Sequence, residues 1–237
     1  MEFFDFSIRW YEFLIMVLVS YLVGCFNFAV LISKTRNKDV TKMGSGNPGT
    51  MNMTRNFGFK IGALTFFCDA LKGGLPVLIA YLIYKDTYFT GTSVQVSDVA
   101  RYACGLSVII GHIFPVTMKF KGGKGIASTF GLFWVGLSCE SLWFILIGLG
   151  VVLLMLLFIY KVQLGSVASL IGVTVFGTMQ AVTFLVRYAT IEPPLIASFC
   201  MIFALVTLTY AAHRKNILQL FAGEEHRTKI GKSKKSV

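Results

Sequence analysis

The sequence predicts an all-α integral membrane protein of seven transmembrane helices, with the N-terminus outside and the C-terminus cytoplasmic. Three observations carry that prediction. Of the 237 residues, 55% are hydrophobic and only 14% charged, whereas a soluble domain carries roughly 25% charged residues. Apolar runs recur that approach the ~20 residues needed to cross a bilayer. The Lys and Arg residues gather on alternate connections between those runs.

The runs cover 11–33, 61–84, 99–118, 126–139, 142–160, 164–186 and 194–211. The first follows a start without a basic leader and reads as a retained span, not a signal peptide. The fourth is short. Joined to the fifth, however, it would make a helix about 50 Å long at 1.5 Å per residue, too long for a ~30 Å hydrocarbon core. A break near Ser138-Cys139-Glu140-Ser141 is therefore expected. With the N-terminus outside, 17 of the 22 Lys and Arg face the cytoplasm. Arg9, Lys85, Arg101 and Arg187 lie outside, and Lys72 lies within a span. The net charge of +11 then reflects cytoplasmic loops facing anionic lipid, not a nucleic-acid partner. The five cysteines all sit in apolar stretches without a C-x-x-C and read as buried free thiols. A single membrane domain over 1–237 is expected, with glycine-rich cytoplasmic loops at 33–60 and 117–125 and a solvated tail at 212–237.

Two polar loops contradict the apolar background. The first is Gly44-Ser45-Gly46-Asn47-Pro48-Gly49-Thr50-Met51-Asn52-Met53-Thr54-Arg55. The second is Gly111-His112-Ile113-Phe114-Pro115, followed by Lys121-Gly122-Gly123-Lys124-Gly125. Successive glycines let backbone N–H groups converge on an anion, and Lys or Arg supplies the counter-charge. Gly44–Gly49 spells G-x-G-x-x-G, but a membrane helix precedes it, not a strand, so a dinucleotide fold is rejected. Gly231-Lys232-Ser233 ends like a Walker A loop, yet His226 stands where its leading glycine belongs.

Asp69 and Lys72, three apart, share a helix face within the second run. Intramembrane charges mark sites by default, so Lys72 is expected to reach an anionic group, with a self-contained ion pair as the alternative. His112 closes the third run. His213 closes the last, with Asn216 on the same face three residues on. No carboxylate or His cluster has metal-ligand spacing, so neither metal nor other cofactor is expected.

At these residues the chain resembles the bacterial acyl-phosphate:glycerol-3-phosphate acyltransferase family of the PlsY type. The family's G-S-G-N-x-G-A-T-N is followed by Gly44–Asn52, with Thr50 and Met51 in place of Ala-Thr. Its G-H-x-F-P with K-G-G-K-G matches Gly111–Pro115 and Lys121–Gly125. Its H-x-x-N-I matches His213–Ile217, its G-x-E matches Gly223–Glu225, and an Asp-x-x-Lys-Gly matches Asp69–Gly73. Gln219 and Ala212 stand where basic residues are common in the family.

The resemblance implies transfer of a fatty acyl group from acyl phosphate to the sn-1 hydroxyl of glycerol 3-phosphate, giving lysophosphatidic acid and phosphate for phospholipid synthesis. It implies a multi-pass protein of the bacterial cell membrane with a cytoplasmic active site, supplied by an enzyme that makes acyl phosphate. On this reading His213, Asn216, Ser45 and Lys124 are catalytic. Arg55 and Lys124 hold phosphates, with Lys72 assisting. Gly44, Ser45, Gly46, Asn47, Gly49, Asn52, Gly122, Gly123 and Gly125 complete the cradle, and His112 shapes it. Either His213 or the substrate phosphate takes the proton. The rivals are a transporter of a phosphorylated solute and an acyl-CoA enzyme, but the H-x-x-x-x-D of the latter is absent.

Overall fold

The computed structural model describes residues 2–225. The tail from His226 onward, expected to be solvated and basic, lies outside the described residues. Seven long helices run between two ends of one bundle: α1 (Phe6–Cys25), α4 (Phe59–Tyr84), α5 (Val96–Ile113), α6 (Ile126–Glu140), α7 (Trp143–Val162), α8 (Gly165–Arg187) and α9 (Pro193–Ala212). Three short helices, α2 (Phe28–Lys34), α3 (Thr50–Phe57) and α10 (Arg214–Phe221), gather at one end with the glycine-rich loops. The opposite end carries the one departure from an all-helical chain among the described residues. There β1 (Glu2–Phe4) pairs in parallel with β2 (Thr87–Phe89), Glu2 opposite Thr87.

Among the described residues, six apolar stretches are long enough to cross a membrane: Phe6–Lys34, Phe59–Tyr84, Val96–Met118, Trp143–Val162, Gly165–Arg187 and Pro193–Ala212. Helix α6, with 15 residues, is shorter. The expected break after it is present: α6 ends at Glu140 and α7 begins at Trp143. Helix α5 is the hub, with 67% of its most apolar window buried against 11% for α7, so α7 presents nearly all its leucines outward.

Backbones approach closely where glycine removes the side chain. A Cβ on Gly24 of α1 would lie 2.2 Å from the Val108 carbonyl of α5, and one on Gly131 of α6 would lie 1.9 Å from the Ala70 carbonyl of α4. Membrane helices associate through such small-residue contacts because lipid supplies no hydrophobic drive between them.

At the strand end the fully buried Arg101 donates to the Gly136 carbonyl at 2.7 Å and to Asp98 and Glu140. Arg187 also bonds Glu140, at 2.7 Å. Two cations against two carboxylates neutralise the cluster, as a buried ion-pair network requires. This cluster ties the end of α6 to the second turn of α5.

The first apolar run, expected as a span over 11–33, is one membrane-length stretch (Phe6–Lys34) built of two helices. It breaks at Phe26, whose backbone turns extended (φ −76°, ψ 111°), and restarts behind Asn27, whose side chain accepts from the Val30 N–H at 3.0 Å. The elbow leaves carbonyls without helical partners, and side chains from elsewhere satisfy them. Lys72 Nζ donates to the Phe26 carbonyl at 2.6 Å and to that of Gly24 at 3.3 Å. The Thr117 hydroxyl donates to the Cys25 carbonyl at 3.1 Å.

Candidate active site

The first glycine-rich loop is folded by Asn52. This side chain, 1% exposed, donates from Nδ2 to the carbonyls of Val40 at 3.1 Å and Met43 at 2.9 Å. Its Oδ1 accepts from the Ser45 N–H at 3.2 Å and from Asn56 Nδ2 at 3.0 Å. Every polar position of the amide is thereby engaged, so Asn52 shapes the loop and has no polar position left for an anion. Gly44 (φ +54°) and Gly46 (φ +70°) take the left-handed backbone this turn demands. Ser45 is exposed and Asn47 half-buried at its rim.

The loop ends at Gly49, which caps α3 without a side-chain bond to the helix. The second loop ends the same way, at Gly125 before α6. Two helix N-termini whose first N–H groups are not taken by a capping side chain are ready anion ligands.

The second loop folds back tightly on α5. The N–H of Gly122 donates to the Ile113 carbonyl at 3.0 Å and that of Gly123 to the His112 carbonyl at 3.1 Å. A Cβ on Gly122 would lie 2.0 Å from the His112 carbonyl oxygen, and one on Gly123 would lie 2.3 Å from His112 Nε2 and 3.2 Å from the Pro48 carbonyl. These glycines were expected to bring backbone N–H groups to phosphate. Their N–H groups are instead spent on α5, and their contribution is the absence of side chains where the two loops meet. His112, 3% exposed, stands at that junction with Nδ1 unpartnered among the described residues.

The turn delivers Lys124 beside the end of α9. Lys124 Nζ donates to Asn216 Oδ1. Asn216 Nδ2 donates to Glu225 at 3.4 Å, and the Ser166 hydroxyl of α8 donates to the same carboxylate oxygen. Burial pushes the Lys124 ammonium below its ordinary value, the Glu225 carboxylate opposes that, and the nearby Arg55 guanidinium adds to it. Arg55, exposed on α3, thus shares the electrostatic neighbourhood of Lys124.

His213 is also within reach of that field. It is 3% exposed, and its Nδ1 lies 2.8 Å from the Thr209 carbonyl. A carbonyl only accepts, so Nδ1 carries the proton and Nε2 keeps a lone pair. Burial, reinforced by the charge of Lys124, lowers its pKa to about 4.

The structure thus gathers Lys124, His213 and Asn216 where the glycine-capped α6 begins, with Arg55, in the last turn of α3, acting on the Lys124 charge. Lys72 is not among them. Its ammonium donates to the Gly24 and Phe26 carbonyls and lies 3.1 Å from Asp69 as an ion pair, so the expected contact with an anionic substrate group gives way to the self-contained ion pair and the elbow. Glu225, expected in a solvated tail, is half-buried against Ser166 and Asn216. Asn27 was missed, although an Asn after Gly24-Cys25-Phe26 is a helix-start signal. Ser166 had no sequence signal. Among the described residues no group of three or more His, Cys, Asp or Glu could hold a metal.

The sequence model of glycerol-3-phosphate acyltransferase matches residues 14–223. The glycerol-3-phosphate acyltransferase of Mycoplasmopsis pulmonis is 33% identical over 91% of this chain and 93% of its own. That of Aquifex aeolicus is 33% identical over 90% and 98%. The crystal structure of PlsY, an integral membrane glycerol 3-phosphate acyltransferase, in its glycerol 3-phosphate form superposes with a TM-score of 0.70 at 31% identity, over 91% of this chain and 95% of that one. Its lysophosphatidic acid form gives 0.67 at 30%. With the motifs gathered at one end of a matching helical bundle and the match running through nearly the whole chain, this multi-pass membrane protein belongs to the glycerol-3-phosphate acyltransferase family.

Proposed function

We propose that this acyltransferase draws its acyl group from acyl phosphate and places it on the sn-1 hydroxyl of glycerol 3-phosphate, releasing lysophosphatidic acid and inorganic phosphate. The observation that carries the reading is the convergence of Lys124, Asn216 and His213 at the glycine-capped start of α6, with the Arg55 guanidinium acting on Lys124 from the last turn of the glycine-capped α3. Two cations and two helix ends suit two phosphorylated substrates. The absence of H-x-x-x-x-D from the sequence speaks against acyl-CoA chemistry.

Acyl phosphate is a mixed anhydride with a good leaving group, so the site's task is to gather, align and stabilise charge. Arg55 and Lys124 neutralise the phosphates. The α3 and α6 N-termini and the Ser45 and Asn47 rim complete the cradle, while Gly44, Gly46, Gly49, Gly122, Gly123, Gly125 and Asn52 give it shape. Asn216 fixes the Lys124 ammonium. His213 accepts a hydrogen bond from the glycerol hydroxyl at Nε2 and orients it on the carbonyl. The hydroxyl oxygen bonds to the acyl carbon as the carbon–oxygen bond to phosphate breaks. With a pKa of about 4, His213 is a weak proton store. A phosphate monoester, with a second pKa near 6, binds the released proton more tightly, so the glycerol 3-phosphate phosphate is the acceptor. Alignment alone can supply about 7–11 kcal/mol, and each oxyanion donor roughly 3–4.

The chain crosses the membrane seven times, N-terminus out. The positive bias of the loops supports this, as does the reach of α6, which starts next to Lys124 and ends on Arg101 in the second turn of α5. The active site, loops 33–60 and 117–125 and the 212–237 tail then face the cytoplasm of a bacterial cell. An enzyme that makes acyl phosphate supplies the donor. The test is phosphate release by the purified protein from palmitoyl phosphate, with palmitoyl-CoA in parallel. Release that requires glycerol 3-phosphate and yields lysophosphatidic acid supports the proposal. Turnover with palmitoyl-CoA alone overturns the donor assignment.

A further inference from the structure

We infer that Asn27, in the elbow between α1 and α2, is a positioning residue for glycerol 3-phosphate. It works by holding the Pro48 carbonyl where the two glycine-rich loops meet. The inference rests on the proposed phosphate cradle and adds that its first loop holds the glycerol 3-phosphate phosphate.

One amide does two things here. Asn27 Oδ1 accepts from the Val30 N–H at 3.0 Å and starts α2. Asn27 Nδ2 donates to the Pro48 carbonyl at 3.3 Å. The side chain is buried, at 9% exposure, so water does not readily replace the second bond. Pro48 directly precedes Gly49, the cap of α3. Its carbonyl is also 3.2 Å from the position a Gly123 Cβ would take, with His112 Nε2 2.3 Å from that same position. Pro48 therefore fixes the α3 N-terminus and its register against the Lys124 turn.

The elbow is a firm base for this tie. Lys72 holds the carbonyls on either side of Cys25, and Thr117, from the second loop, holds that of Cys25 itself. Asn27 thus refers the first loop to a point that α4 and the second loop both fix. Without the Nδ2 bond the loop can rotate about Pro48, moving the α3 N–H groups and Arg55 relative to Lys124. Affinity for the anionic acceptor falls, while the donor side and the chemical step are spared.

The experiment uses the full chain purified in detergent and carrying Asn27→Ser, which keeps a capping oxygen for α2 but cannot reach Pro48. The readouts are KM for glycerol 3-phosphate, KM for palmitoyl phosphate, kcat, and the rise in melting temperature given by glycerol 3-phosphate alone. The expected result is a KM for glycerol 3-phosphate raised about three- to ten-fold, the reach of one hydrogen bond, with kcat and the donor KM within about two-fold of wild type. The stabilisation by glycerol 3-phosphate shrinks in parallel. An unchanged KM overturns the inference, and so does an equal loss on both substrates together with a lower melting temperature of the free protein. Should Asn27→Ser not fold, Asn27→Asp, which keeps the cap and turns the Pro48-facing donor into an acceptor, gives the same readouts. Arg55→Ala is the control for the underlying reading. If it leaves glycerol 3-phosphate stabilisation intact, the cradle is wrong; if it abolishes it and Asn27→Ser does nothing, only the tie is wrong.

Discussion

Adding one methyl group at Gly123 tests whether the two loops must touch as closely as they do. In Gly123→Ala the new Cβ would stand 2.3 Å from His112 Nε2, where ordinary contact begins near 3.4 Å. Something must move by roughly 1 Å. The Pro48 carbonyl on the other side, at 3.2 Å, blocks the easy escape, and His112 is 3% exposed, so its ring has little room to swing. Overpacking of this kind costs about 1–3 kcal/mol of stability. A misplacement of about 1 Å in a substrate-aligning group costs on the order of 100-fold in rate. Gly123→Ala is therefore expected to lose about two orders of magnitude in kcat/KM for glycerol 3-phosphate while still folding. Phosphate release measures the first and detergent thermal denaturation the second. Because the clash is with the imidazole, His112→Ala should make room, so that adding Gly123→Ala to it costs much less than in the wild type. Wild-type kcat/KM in Gly123→Ala, or the same penalty in the His112→Ala background, would refute the steric account.

Lys72→Met leaves Asp69 buried and the Gly24 and Phe26 carbonyls unpaired. A loss of about 3–5 kcal/mol is expected, recovered only in part on adding Asp69→Leu because the two carbonyls stay unpaired; a single variant melting at the wild-type temperature, or full recovery in the double variant, contradicts the elbow role. His213 has a folded pKa of about 4 against an ordinary 6.5. The unfolded chain therefore takes up a proton between those values that the folded chain refuses, so stability is full above pH 6.5 and declines as pH falls toward 4. His213→Gln should flatten that slope, as melting temperature against pH will show, and an unchanged slope would mean the imidazole does not titrate as described. Glu225→Gln keeps the hydrogen-bonding shape beside Asn216 but removes the charge that supports the Lys124 ammonium. The alkaline limb of the pH–rate profile should move to lower pH, and a profile that does not move removes Glu225 from the site's electrostatics. Gln180, fully buried on α8, has neither amide atom hydrogen-bonded to any described residue. Gln180→Leu should stabilise the protein by about 1 kcal/mol, whereas destabilisation in a thermal melt would count against an unpaired amide.

The sequence by itself determined the membrane class, the apolar helices of membrane-crossing length and the break between α6 and α7. Composition, run length and the limit of bilayer thickness are local or one-dimensional properties, and they constrain helices directly. It also marked Arg55, Lys124, His112, His213 and Asn216, because polar groups and glycines stand out against an apolar background. The tertiary structure alone decided which partners the polar groups meet. Whether Lys72 faces a substrate or an elbow depends on where α1 breaks, and nothing in the spacing of Asp69 and Lys72 contains that. Whether the N–H groups of Gly122 and Gly123 meet phosphate or α5 depends on how sharply the second loop folds back. Glu225 reads as a tail residue until α10 returns it to Ser166. In each case the role follows from hydrogen-bond partners distant in sequence. A buried donor takes whichever acceptor the packing of other helices leaves unpaired, so its function is fixed by three-dimensional neighbours and not by its own segment.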